Sequence, residues 1–123
     1  MAEKQNRFSI IKRLLSFRYA FRGIFFMIRT QHNAWIHLFA SMVVIVAGFW
    51  FSISTTEWMM VIISIGLVLA AEAFNTAIEL LVDKISPDYD EKAGIIKDVA
   101  AGAVLFTAVT AAAVGIIVFG TKL

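Results

Sequence analysis

Glu72, Asn75, Glu79 and Asp83 stand in a stretch that otherwise reads as a membrane helix. An ionisable side chain at mid-bilayer costs about 2.5–3.5 kcal/mol on insertion scales, so its presence marks a functional site. At about 100° per residue the four fall within an arc of roughly 80°. One helix therefore turns a polar stripe toward something other than lipid. Lys97 and Asp98 open the next apolar run. Several carboxylates that converge at an interface stay ionised together only when cations neutralise them. Lys97 offsets one charge, and the remainder suggest a divalent metal held by oxygen ligands, which favours Mg2+. Mg2+ normally arrives with phosphate and takes only one or two carboxylates from protein. A carboxylate left deeper and less solvated can then serve as a general base. Metal, phosphate site and base at a membrane surface together suggest phosphoryl transfer to a lipid hydroxyl.

Two other readings use the same residues. Carboxylates in a membrane helix can simply pair with Lys or hydrogen-bond between helices to fix packing, as in a non-catalytic membrane assembly protein. Alternatively, Glu72 could be the substrate site of a small proton-coupled transporter. Six polar residues on two short segments at one side of the membrane weigh against packing alone. They do not separate a kinase from a transporter. Dependence on a metal would, because a kinase needs Glu79 and Mg2+ together whereas a transporter needs Glu72 and a proton gradient.

The elements that must position these residues follow from the apolar pattern. The chain has 123 residues with 60% hydrophobic content and a mean hydropathy of +0.83, which indicates one integral membrane domain, residues 1–123, built from helices. There is no cysteine, so disulfides and thiolate metal sites are excluded. Apolar runs predict spans at about 34–52, 57–84 and 96–119, each near the roughly 20 residues that cross the hydrocarbon core. A segment at about 8–30 differs: Ile10, Leu14, Phe17, Phe21, Ile24 and Ile28 alternate spacings of four and three, with Arg13, Arg18, Arg22 and Arg29 between them. This predicts an amphipathic helix on the membrane surface, arginines toward lipid phosphates. A plain topology signal is the alternative for those arginines. Of eleven Lys and Arg, seven precede residue 30: Lys4, Arg7, Lys12, Arg13, Arg18, Arg22 and Arg29. That asymmetry puts the N-terminus and the Lys84–Lys97 region in the cytoplasm. Glu79 and Asp83 then lie near the inner interface, with Glu72 about a dozen residues inward. No cleavable signal peptide is expected, since the first long apolar run begins only after Asn33. His32 reads as solvated or facing lipid headgroups, and His37 as an interfacial hydrogen-bonding side chain rather than a metal ligand. Three spans can hardly enclose so many charges, so an oligomer is expected.

Residues 72–83 read Glu-Ala-Phe-Asn-Thr-Ala-Ile-Glu-Leu-Leu-Val-Asp. This resembles the signature Glu-x-x-Asn-Ser/Thr-Ala/Ser-Ile-Glu-x-x-x-Asp of the small bacterial integral-membrane lipid kinases, the diacylglycerol kinase and undecaprenol kinase family. Lys97 and Asp98, followed by the small residues Ala100, Ala101, Gly102 and Ala103, match that family's second block. The resemblance covers essentially the whole chain. It implies a homotrimer with active sites between subunits, in a bacterial cytoplasmic membrane. It also implies ATP as phosphoryl donor, Mg2+, a lipid alcohol (undecaprenol or diacylglycerol) as acceptor and no nucleic-acid partner.

Residue by residue, the resemblance implies Glu72 as the general base and Glu79 as the metal ligand. Asn75 would hold the metal–phosphate geometry or the reacting hydroxyl. Lys97 would neutralise charge on the transferring phosphate, and Asp98 would orient Lys97 or the nucleotide. Asp88 and Tyr89 would contact the nucleotide from the inner loop, and Tyr19 would lie near the adenine. Asp83 belongs to the signature but equally suits a structural role at a helix end. One position departs from the pattern: Gln31 stands where many members carry a metal-binding glutamate just before the first span. An amide oxygen ligates Mg2+ more weakly than a carboxylate, so metal count, metal affinity or turnover itself would differ here. The segment Gln31 to His37 resembles in part that of undecaprenol-type members, with Trp35 where those often have a basic residue.

Overall fold

The computed structural model describes the backbone of residues 2–123 and the side chains of residues 9–123. It is all-helical: α1 Ala2–Thr30, α2 His32–Trp50, α3 Thr55–Ile85 and α4 Glu91–Gly120. Among the described residues α2, α3 and α4 are long and apolar enough to cross a membrane. The chain divides into two compact units, Met1–Gln31 and His32–Leu123.

The first unit is α1. Its early turns are rich in Ala, Glu, Lys and Gln, strong helix formers that carry the helix back to Ala2. Ile10, Leu14, Phe17, Phe21 and Ile24 are all exposed along it. The Arg29 guanidinium lies 5.8 Å from the centroid of the Phe25 ring, within cation–π range. The side chains of Lys4 and Arg7 lie outside the described residues.

The second unit is built around α3, which packs extensively along α4 and less on α2. The start of α3 is written in Ser-Thr-Thr-Glu. Ser54 Oγ accepts the Glu57 N–H at 3.2 Å, and Glu57 Oε1 accepts the Ser54 N–H at 3.0 Å, a reciprocal capping box. The turn before it is tight enough to force Ser52 to φ 50°, a left-handed conformation that a side chain disfavours. Lys122 Nζ reaches Glu57 Oε1 at 3.3 Å, which ties the end of α4 to the start of α3. α4 begins at Glu91, before the apolar run that opens near Ile96. Asp90 adopts the extended N-cap conformation and Glu91 places a negative charge in the first turn, both favourable at a helix start.

The apolar core sits at the end of the unit near this turn, with Ile53, Val61 and Val118 buried and Val44, Phe51, Trp58 and Phe119 packed around them. The Phe49 and Trp58 rings pack at a tilt of 53°, 4.9 Å between centroids. Gly48 lets α2 approach Trp58. A Cβ there would meet Trp58 Cη2 at 2.6 Å and Cζ2 at 2.8 Å, with Ile53 Cδ1 at 3.2 Å. Gly48→Val is therefore expected to destabilise the protein by about 1–3 kcal/mol through overpacking, measured by reversible unfolding in mixed micelles. Elsewhere the outside is apolar: Phe74, Phe106 and Ile116 are exposed, as on a helix bundle whose surroundings are lipid.

Candidate active site

The buried face of α3 runs Val61, Ser64, Val68, Glu72, Asn75, Thr76 and Val82. The polar stripe thus continues the packed apolar face and turns inward. Glu72 is 0% exposed, the most enclosed large side chain among the described residues. Its two carboxylate oxygens accept no hydrogen bond from the described residues, and neither does Asn75 Oδ1. Buried polar atoms are nearly always paired, and a buried carboxylate without donors is costly. A group maintained at such cost is a functional candidate.

Asn75 donates Nδ2–H to Glu79 Oε1 at 3.5 Å, a long contact that links successive turns. Thr76 is also buried, and its hydroxyl donates to the Glu72 carbonyl at 2.9 Å. His37 from α2 brings Nε2 to 3.6 Å from Glu72 Oε2. The sequence reading gave His37 no part in the site. The signal was an imidazole inside an apolar span joined to α3 by a short turn, which pairs the two helices antiparallel and brings position 37 beside position 72.

A second cluster forms where α3 ends and α4 begins. Lys97 Nζ donates to Asp83 Oδ1. Asp83, Asp88, Tyr89 and Lys97 line one cleft of about 170 Å³ together with Ser86 and Pro87. The loop thus carries Asp88 and Tyr89 to Lys97. Asp98, next in the chain, is exposed and outside this cleft. Among the described residues Lys97 forms its ion pair with Asp83. Because both side chains are well exposed, Asp83→Asn is expected to change stability by less than about 1 kcal/mol, measured by thermal unfolding in detergent. Tyr19 and Gln31 belong to the first unit: Tyr19 is exposed on α1 and Gln31 occupies the break between α1 and α2.

Among the described residues no three His, Cys, Asp or Glu side chains gather closely enough to form a metal site by themselves. A protein cage for Ca2+ or Zn2+ would need such a cluster. The half-buried Glu79 carboxylate and the unpartnered Asn75 Oδ1, one turn apart, instead fit a hard cation that keeps water and phosphate in most positions.

The fold and site define a class: an all-helical multi-pass membrane protein with an enclosed carboxylate on its central helix and a Lys–Asp cleft at one end. The comparisons agree with it. The model of the prokaryotic diacylglycerol kinase family matches residues 18–119, and the chain belongs to that family of membrane lipid kinases. It is 37% identical to the undecaprenol kinase of Bacillus subtilis over 123 residues, 100% of both chains. It is 38% identical to the diacylglycerol kinase of Synechocystis over 114 residues, 91% of this chain and 65% of that one. Against the diacylglycerol kinase of Escherichia coli it is 33% identical over 72 residues, 58% of this chain and 59% of that one. Membership of a kinase family implies ATP as the phosphoryl donor.

Proposed function

We propose that the protein transfers the γ-phosphoryl group of ATP, with Mg2+, to the hydroxyl of a membrane polyprenol, undecaprenol by preference over diacylglycerol. The observation that carries the chemistry is Glu72, wholly enclosed with both oxygens free of donors. An acceptor hydroxyl would supply the missing hydrogen bond. As its oxygen attacks the γ-phosphorus and the bond to ADP breaks, Glu72 takes the hydroxyl proton. Asn75 holds the reacting hydroxyl or phosphate in place. Lys97, steadied by Asp83, neutralises charge on the transferring phosphoryl group. Asp88 and Tyr89 in the cleft bind the nucleotide. Glu79 would hold Mg2+; bound there, the metal would supply charge neutralisation on the phosphates.

α1 lies on the inner membrane surface and the N-terminus is cytoplasmic, which gives ATP access to the α3–α4 loop while the lipid enters from the bilayer. The exposed apolar faces and the exposed Asp98 are covered in a homotrimer, where Asp98 meets a neighbouring subunit's site. The preference for undecaprenol rests on the relative that aligns end to end with this chain. Competition between the two lipids in mixed micelles, with labelled ATP and chromatographic separation of products, tests it. The expected result is preferential label in the polyprenyl phosphate. Preferential label in phosphatidic acid would reverse the assignment.

A further inference from the structure

We propose that His37 is a positioning residue for Glu72, presenting its Nε2–H to one carboxylate oxygen so that the other is left to take the acceptor's proton. This rests on Glu72 acting as the base. The two side chains come from different helices of the same compact unit, with His37 Nε2 3.6 Å from Glu72 Oε2. That distance exceeds a hydrogen bond, and catalytic contacts of this kind commonly tighten only when substrate is bound. Neither Glu72 oxygen has a hydrogen-bond donor among the described residues, and the His37 Nε2 at 3.6 Å is a group able to fix the carboxylate. A carboxylate free to rotate loses the geometry that makes it an effective base.

His37 has a second environment. Its ring also lines a groove of about 210 Å³ between α2, α3 and α4, walled by Ala40, Val44, Val68, Ala108 and Ala111. The groove is mostly apolar, and His37 and Ser41 are the two polar residues that line it. The side chain is 19% exposed, while its partner is 0% exposed. His37 thus stands between an apolar groove and an enclosed carboxylate. A mere interfacial hydrogen bonder would need neither neighbour.

The test measures kcat and KM for both substrates in His37→Leu and His37→Gln, each also combined with Glu72→Gln. Gln can place an N–H close to the position of the imidazole Nε2–H, and Leu cannot. His37→Leu is expected to lower kcat by about 10²-fold with the KM for ATP unchanged, the scale of a misplaced catalytic group. His37→Gln should recover most of that loss. In the Glu72→Gln background His37→Leu should have almost no further effect, because there is no base left to position. Three results would overturn the proposal: His37→Leu with near wild-type kcat, Gln and Leu equally impaired, or an undiminished His37→Leu effect without Glu72. Loss of activity in Glu72→Gln alone tests the base assignment separately, so failure of one reading is distinguishable from failure of the other.

Discussion

Glu72→Gln lowers kcat for lipid phosphorylation by about 10³-fold and leaves the KM for ATP nearly unchanged: that is the expected result, within the range for removing a general base. Gln keeps the shape and a carbonyl oxygen but cannot accept the proton. The substitution should not cost stability. Glu72 is fully enclosed and its oxygens accept no hydrogen bond from the described residues, so a neutral amide is easier to hold there than a carboxylate. The expected pattern is lost turnover with equal or greater resistance to thermal unfolding. This pattern separates catalysis from packing, since a carboxylate kept for helix association would lose stability when replaced. Steady-state kinetics and thermal unfolding on the same micelle preparation read both quantities.

Glu79→Gln has a different signature. Its carboxylate lies two turns beyond Glu72, half-buried and touched by Asn75 at 3.5 Å. If Glu79 holds the cation, the Mg2+ concentration needed for half-maximal activity should rise about 10–100-fold, the usual effect of weakening a metal site. Activity lost at low Mg2+ should return as Mg2+ is raised. Glu72→Gln should show no such recovery. A Glu79→Gln enzyme with unchanged Mg2+ dependence would remove the metal from this position. Mg2+ titration of initial rates in the two variants side by side decides the point.

Much of the fold was legible because bilayer thickness and apolar runs fix helix length. α2, α3 and α4 occupy the three apolar stretches, and the spacing of Glu72, Asn75 and Glu79 placed them on one face that the structure shows buried or half-buried. Asp83 belongs to the same arc on a helical wheel, yet it is exposed beside Lys97, because α3 there approaches its end and the loop. The polar start of α4 was hidden because Glu91 and Lys92 carry no apolar signal, although Asp90 offered an N-cap. Ser54 to Glu57 held a capping box in plain sight. The His37–Glu72 approach was harder to see, since it depends on how two antiparallel helices register across a four-residue turn and not on spacing within either one. The same holds for the Lys122–Glu57 pair at the far end.

The most direct test of the account is the balance sheet of one reaction. Purified wild-type protein is incubated with γ-labelled ATP, Mg2+ and undecaprenol in mixed micelles, and lipid-soluble label is compared with ADP formed. The account predicts polyprenyl phosphate in equal amount to ADP, dependent on Mg2+ and independent of any proton gradient. ADP formed without phosphorylated lipid, from undecaprenol or from diacylglycerol, would contradict it. So would lipid or solute movement that follows a proton gradient with no phosphate transferred.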